Sequence, residues 1–327
     1  GLVTIFESSG STYSKAGTHM LIDGGGDVRG MRSGGCLEGD LALRAAAVIE
    51  SGTPQTVTYD LAQDDELWGL GVGCDGVMRV CIQALTAANG YQPFAAIAGA
   101  LEGDRPARLS MVIESAHADI RAGVAAIAAG DRALGLGLPD ESAARLMQDV
   151  AGPVFEQIAL DGSELSVLAT TIRPSPRVLV LGAGPDAEPV VRFAAELGWR
   201  CTVADHRDAY IESGAFDAAE RVVCVPAAEL AGRVELSRFD AAVVMSHHLA
   251  SDRAYLGQLP ATDLRYIGLL GPAARRDRLL SELGESGQGL GGRLRGPAGI
   301  DIGGRGPAAI ALSIVAEIQG VLQGRIS

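Results

Sequence analysis

Two different patterns of apolar and polar positions divide the chain. Up to residue 173 the apolar residues come mostly in short runs bounded by Gly, Asp and Ser. Leu2–Phe6, His19–Asp23 and Val28–Met31 read as strands, the last two joined through Gly24-Gly25-Gly26-Asp27, and Gln55–Asp60 reads as another. Leu37, Leu41, Ala45 and Val48 share one face at helical spacing. Gln92–Ala107 reads as a helix and turn, Arg108–Ser115 and Val124–Ala129 as strands, and Glu141–Val150 as a helix. Val154–Leu160 and Glu164–Thr171 form a hairpin around Asp161-Gly162. Beyond Pro174-Ser175-Pro176, strand and helix alternate regularly, and the two prolines mark the expected boundary.

That second pattern opens with RVLVLGAGPDAEPVVRFAAELGWRCTVADHR, from Arg177 to Arg207. Arg177–Leu181 is a short run suited to a buried parallel strand, and Gly182-Ala183-Gly184-Pro185-Asp186-Ala187 follows it directly. Gly182 permits the tight turn, Gly184 admits close approach of a pyrophosphate, and Ala187 is small enough for helix to lie on strand. The helix is expected to bury Val190, Val191, Ala194 and Leu197 and to stop at Gly198. Asp205 then ends the next strand, 23 positions after Gly182, where a ribose-binding acid belongs. Strands Arg221–Val225, Asp240–Ser246 and Tyr266–Leu270 continue the alternation, each followed by an apolar-faced helix. Gly284–Gly299 reads as a surface loop carrying Arg293 and Arg295 as solvated charges, and a helix starting at Pro307 closes the chain. The expected class is therefore α/β: a Rossmann-like doubly wound parallel sheet over 174–327 behind an α+β domain over 1–173.

Ligands of such sheets sit at the carboxyl ends of the strands, so Gly182, Asp205, Ser246, His247 and Gly271 are expected around one crevice. Adjacent strand residues point oppositely, so His247 and His248 cannot both face it unless the strand has already ended. His247 is the candidate contact. Gly303–Gly306, ahead of the last helix, offers a second anion turn.

Composition narrows the function classes. With 327 residues, 44 glycines and 47% hydrophobic residues, the chain is globular and rich in tight turns. A net charge of −13 and the lack of any basic run argue against nucleic acid and anionic membrane as partners. No apolar run approaches a membrane span. Five cysteines at irregular spacing fit reduced thiols in a cytoplasmic protein better than a disulfide framework. No signal peptide precedes Leu2, and because Gly1 is not an initiator methionine, residues upstream of it are expected.

Two of those cysteines stand in glycine-rich runs. Ser33-Gly34-Gly35-Cys36-Leu37-Glu38-Gly39-Asp40 places Cys36 at a helix start, where the helix end lowers a thiol pKa and Glu38 and Asp40 raise it. Trp68–Gly76 carries glycines at 69, 71, 73 and 76 around Cys74, a density that suits backbone folding around a flat or phosphorylated ligand. Gly34, Gly35, Glu38, Gly71 and Gly73 are accordingly candidate contacts beside the two thiols. Ahead of them, Glu7–Gly17 is a polar loop rich in hydroxyls.

These stretches resemble the XdhC/CoxI family of accessory proteins for xanthine and carbon monoxide dehydrogenases. The resemblance rests on GSTYSKAGTHMLI (Gly10–Ile22), SGGCLEGD, WGLGVGCDG, GAGPDAEP, VADHR, GLLGPAARRDRL (Gly268–Leu279) and GIDIGGRGPAAIALSIVAEI (Gly299–Ile318), in order along nearly the whole chain. It implies a two-domain chaperone, more than a turnover enzyme, that binds molybdenum cofactor, in molybdopterin or dinucleotide form, protects it during sulfuration and delivers it to a molybdenum hydroxylase. A cysteine desulfurase and a second copy of the chain are implied partners, with Cys36 and Cys74 as candidate molybdenum contacts. Ser14 stands where the family pattern has a basic residue, so an anion contact there comes from Lys15 or is absent, and Gly303–Gly306 is looser than the family run. The alternative is an NAD(P)-linked oxidoreductase built on the Gly182 turn, although no acid, base or nucleophile set of known spacing accompanies it.

Overall fold

Sixteen strands are assembled into three sheets in a computed structural model that describes residues 1–12, 14–30, 37–61, 76–130, 132–147 and 154–326. The chain divides into two units, Gly1–Pro174 and Ser175–Ser327, each with its own core.

In the first unit β1 (Leu2–Ser9), β2 (His19–Ile22), β3 (Val28–Gly30), β4 (Gln55–Asp60) and β5 (Val77–Gln83) form an antiparallel sheet in the order β3-β2-β1-β5-β4. A second antiparallel sheet, β8-β7-β6-β10-β9, contains β6 (Ala107–Ser115), β7 (Ala125–Ala129), β8 (Arg132–Leu136), β9 (Val154–Leu160) and β10 (Ser163–Ile172). Alternation along β1 sends Leu2 and Phe6 to one face, where they join Leu109, Met111, Ile113 and Leu168 of the second sheet, and Val3 and Ile5 to the other. On that other face lies the helix Glu38–Ser51, burying Leu41, Ala45 and Val48. Glu38 and Asp40 in its first turn suit the positive end of the helix, and Gly52 ends it at φ 68°, its amide on the Val48 carbonyl. The helix Asp140–Leu146 covers the outer face of the second sheet through Ala143 and Leu146. The unit is thus a sandwich of two sheets with a helix on each outer face.

The second unit is one parallel sheet. β11 (Arg177–Leu181), β12 (Arg200–Asp205), β13 (Arg221–Cys224), β14 (Ala241–Val244), β15 (Tyr266–Leu269) and β16 (Leu294–Arg295) run in the order β13-β12-β11-β14-β15-β16, which is the doubly wound Rossmann order. All five residues of β11 are buried, as a central strand covered on both faces requires. The helices Ala187–Glu196 and Pro307–Leu322 cover one face, and Leu249–Leu256 and Ala273–Leu283 the other.

Three expectations change. Leu197 is half exposed, because the helix stops at Glu196 and Gly198, at φ 74°, turns the chain away before Leu197 can reach the core. Arg293 is not a solvated charge: its guanidinium donates to the carbonyls of Pro260, Thr262, Leu264 and Gly289, bracing the approach to β15. Nor is Arg295, which lies in β16 with its Nη1 3.5 Å from the buried Glu317 carboxylate, while Glu317 also accepts from the Tyr266 hydroxyl and the Gly299 amide, each at 2.7 Å.

Candidate functional site

The antiparallel order of the first sheet brings two sequence-distant segments to one end. β1 ends at Ser9 opposite Val77, and β4 ends at Asp60 opposite the same residue, so the hydroxyl loop after β1 and the segment 62–75 both leave there. β3 ends at Gly30, level with Val3 and Ile82, but the helix Glu38–Ser51 that follows it in the chain starts near the Val77 end, where Asp40 meets Tyr59. Cys36, Gly34 and Gly35 fall between β3 and that helix, and Gly71, Gly73 and Cys74 in 62–75; all six lie outside the described residues. What the structure defines is where the segments are rooted.

Those roots are tied together. The Leu61 amide donates to the Gly76 carbonyl at 2.9 Å, closing the base of 62–75. At Gly76 a Cβ would stand 2.6 Å from the Ser11 carbonyl oxygen and 2.5 Å from Thr12 Cγ2, so only glycine lets this root lie against the hydroxyl loop. The Tyr59 hydroxyl donates to Asp40 Oδ2 at 2.6 Å, and Arg44 Nε donates to the same oxygen at 2.6 Å, joining the helix start to the end of β4. Burial alone raises the Asp40 carboxyl, but Arg44 and Tyr59 hold it below the usual carboxylate range. Lys15 folds over its own loop, donating to the Gly10 carbonyl at 3.3 Å and to Thr12 Oγ1 at 3.1 Å, while Ser14 is buried. An exposed ammonium set among hydroxyls suits a phosphate.

Three further cysteines are free thiols. Burial pushes Cys81 and Cys201 up to about 12, which makes them inert core residues; Cys224 is exposed, and its hydrogen bond to Asp208 raises it.

In the second unit the residues read from the glycine turn do converge, with their polar groups engaged inside the chain. Gly182, at φ 127°, packs so closely on the neighbouring strand that a Cβ would lie 2.5 Å from the Met245 carbonyl oxygen. Its amide bonds to the Ala204 carbonyl, the Ala187 amide to the Gly184 carbonyl, and the Ala183 amide to Asp205 Oδ2 at 2.7 Å. Pro185 has no amide hydrogen, so at most those of Gly184 and Asp186 remain for an anion. Asp205 is fully buried; it also accepts from the Arg207 amide, Nε and Nη2, so both carboxylate oxygens have partners and a ribose hydroxyl would have to displace one. Burial raises its carboxyl and the Arg207 and Ala183 donors more than reverse that, leaving it below the usual range.

The strand has ended before the histidine pair, so the alternation rule does not govern it. His247 sits at φ 58° with Nε2 2.7 Å from Asp186 Oδ2, largely exposed over the turn. His248 caps the helix Leu249–Leu256 instead. Ser246 is buried with its hydroxyl on Asp252, whose other oxygen accepts from Arg275, and Gly271 leaves room for that arginine: a Cβ there would lie 2.7 Å from Arg275 Cδ. The other proposed anion turn carries Asp301, which accepts from the Gly303 amide at 3.2 Å. Among the described residues no cluster of three metal-binding side chains forms.

Known proteins place both units. The model of the XdhC and CoxI family matches residues 1–60, and that of the XdhC Rossmann domain matches 178–318. A curated Bacillus subtilis protein, described as a probable subunit of xanthine dehydrogenase, is 32% identical over 318 residues, 97% of this chain and 91% of that protein. The chain belongs to the XdhC and CoxI family. A crystal structure of a xanthine dehydrogenase from Bacillus halodurans superposes with a TM-score of 0.81 at 28% identity, covering 99% of this chain and 91% of the other. XdhC and CoxI membership thus extends over both units and is consistent with an accessory role beside xanthine dehydrogenase. Sequence reading missed Tyr59, Arg44 and the Asp186–His247 pair, which become visible only once the strand order and the turn geometry are known. No helix among the described residues is long and apolar enough to cross a membrane.

Proposed function

We propose that the chain binds molybdenum cofactor as cargo, supports its sulfuration and inserts it into a molybdenum hydroxylase of the xanthine or carbon monoxide dehydrogenase type. The observation that carries this reading is that the hydroxyl loop, both ends of the segment 62–75 and the helix start that follows Cys36 in the chain are held at one end of one sheet, Gly76 against Ser11 and Asp40 on Tyr59. Lys15, with Thr12, would meet the cargo's phosphate, and Gly34, Gly35, Cys36, Glu38, Gly71, Gly73 and Cys74 would surround its sulfur and metal end. A thiolate at Cys36 or Cys74 can also accept the outer sulfur of a cysteine desulfurase persulfide, carrying it as a persulfide and leaving the desulfurase thiol free. A relative described as a probable subunit of xanthine dehydrogenase, together with a fold neighbour named as a xanthine dehydrogenase, supports the choice of recipient. We place the protein in the cytoplasm, working as a homodimer.

The test is molybdenum and oxidised-pterin content of protein purified from a host that makes the cofactor. Cys36→Ser and Cys74→Ser should each lower retention severalfold with unchanged circular dichroism. Full retention by both variants would refute the reading.

The second reading, an NAD(P)-linked oxidoreductase, draws on the strand order of the second unit. The engagement of Asp205 by Ala183 and Arg207 weighs against it, since a dinucleotide in the usual pose needs both that acid and the turn amides. Calorimetric titration with NAD and NADP decides: heat at micromolar ligand would revive it.

A further inference from the structure

The second unit has a concavity at the amino end of its sheet. It encloses about 420 Å³, and four arginines line it: Arg177, which opens β11, Arg221, which opens β13, and Arg233 and Arg238, which end the short helical turns Leu230–Arg233 and Leu236–Arg238. The glycine turn follows the opposite end of β11, so this cavity is separate from the crevice described above. Arg177 and Thr202 are each 6% exposed and form its floor, while Arg221, Arg233 and Arg238 are exposed around it. Two acids share the lining, Glu220 and Glu235. Glu220 is met by Arg200 from outside the cavity, and Glu235 lies 3.5 Å from the Ser237 hydroxyl. Nearby, Glu229 approaches Arg233 only to 3.9 Å, with both side chains more than half exposed, and Asp240 accepts from the Arg177 amide at 2.9 Å.

Four guanidiniums against two carboxylates leave the lining two positive charges in excess, on a chain whose net charge is −13. Such a chain repels anions at long range, so a basic concavity focuses them at one place, and an extended polyanion reaching beyond it would meet the surrounding acids. A compact anion avoids that cost. Guanidinium forks bind phosphate and carboxylate oxygens in pairs, and a positive charge at a buried floor acts where water screens it least. We propose that this cavity binds a small anion of at least two charges, a phosphate compound or a dicarboxylate, held between Arg221, Arg233 and Arg238 over Arg177. The inference is independent of the cargo proposed above.

Calorimetry on the full chain with pyrophosphate, succinate and acetate tests the inference. Pyrophosphate or succinate should bind about tenfold tighter than acetate, because a single charge leaves half the excess uncancelled, and the affinity should fall as salt is raised. The double variant Arg221→Gln, Arg233→Gln changes only exposed side chains and should weaken that binding about tenfold. Glu235→Gln removes a lining carboxylate and should strengthen it severalfold. Preference for pyrophosphate assigns a phosphate compound, and preference for succinate a dicarboxylate. Three equally weak ligands would overturn the inference. So would unchanged binding in the double variant, which would put the anion elsewhere, as at Lys15. Cys36→Ser and Cys74→Ser should bind the anion as wild type does, so failure of the cargo reading and failure of this one are told apart.

Discussion

The Ala183 amide donates to the Asp205 carboxylate at 2.7 Å, so the second residue of the glycine turn and the acid ending the next strand hold each other. Asp205→Ala strands Arg207 and leaves a buried amide unmet. It should destabilise the protein by about 3 kcal/mol, and Asp205→Asn by roughly half as much, because the amide can still accept. Urea unfolding midpoints measure both, and equal midpoints for wild type and Asp205→Ala would show the pair to be incidental.

The turn's two glycines should respond differently to one added carbon. Gly182→Ala places a Cβ 2.5 Å from the Met245 carbonyl oxygen at a φ of 127°, where neither backbone can give way, and a loss of about 3 kcal/mol or more is expected. Gly184→Ala meets the Asp186 carboxylate, at 2.8 Å, and only touches His247 at 3.8 Å; the carboxylate can turn aside by giving up its exposed bond to His247, and a loss near 1 kcal/mol is expected. Thermal midpoints of the two variants should therefore fall far apart.

Tyr59→Phe removes the hydroxyl that ties β4 to the helix start. A hydrogen bond to a charged acceptor contributes about 1.5 kcal/mol, and stability should drop by that order. If the roots position the cysteine segments for cargo, pterin retention should fall in the same preparation. Lost stability with full retention would separate scaffold from site.

His19 supplies an acid sensitivity. Burial lowers its pKa to about 4, from about 6.5 in the unfolded chain, and its Nε2 has no partner, though Nδ1 lies 2.9 Å from the Thr4 hydroxyl. Between those values only the unfolded chain takes the proton. The contribution is therefore fully present above pH 6.5 and is lost as pH falls toward 4, by about 2 kcal/mol between pH 7 and pH 5. Denaturant unfolding at the two pH values should show this slope in wild type, and a flatter one in His19→Gln.

Legibility followed the range of the forces involved. The helix Glu38–Ser51 and the β11-turn-helix-β12 unit could be read because apolar spacing and turn residues are local signals, and both stand in the structure. Leu197 departs from its expected burial because nothing in the periodicity tells where a helix stops relative to its αL glycine. β16 is two residues long and Arg293 acts on carbonyls some thirty positions away, so neither leaves a local pattern. The meeting of the hydroxyl loop with the ends of the segment 62–75 depends on which strands pair, and the Asp186–His247 contact spans 61 positions; both are products of topology.

Strand β5 has the loop roots at Val77 and, at its other end, the buried Gln83, whose Nε2 donates to the Gly123 carbonyl at 3.3 Å. Six residue steps at about 3.3 Å set the two ends roughly 20 Å apart. A single ring system cannot touch both. A substitution at one end is therefore a control for the other: Gln83→Met should move the unfolding midpoint and leave pterin retention as in wild type.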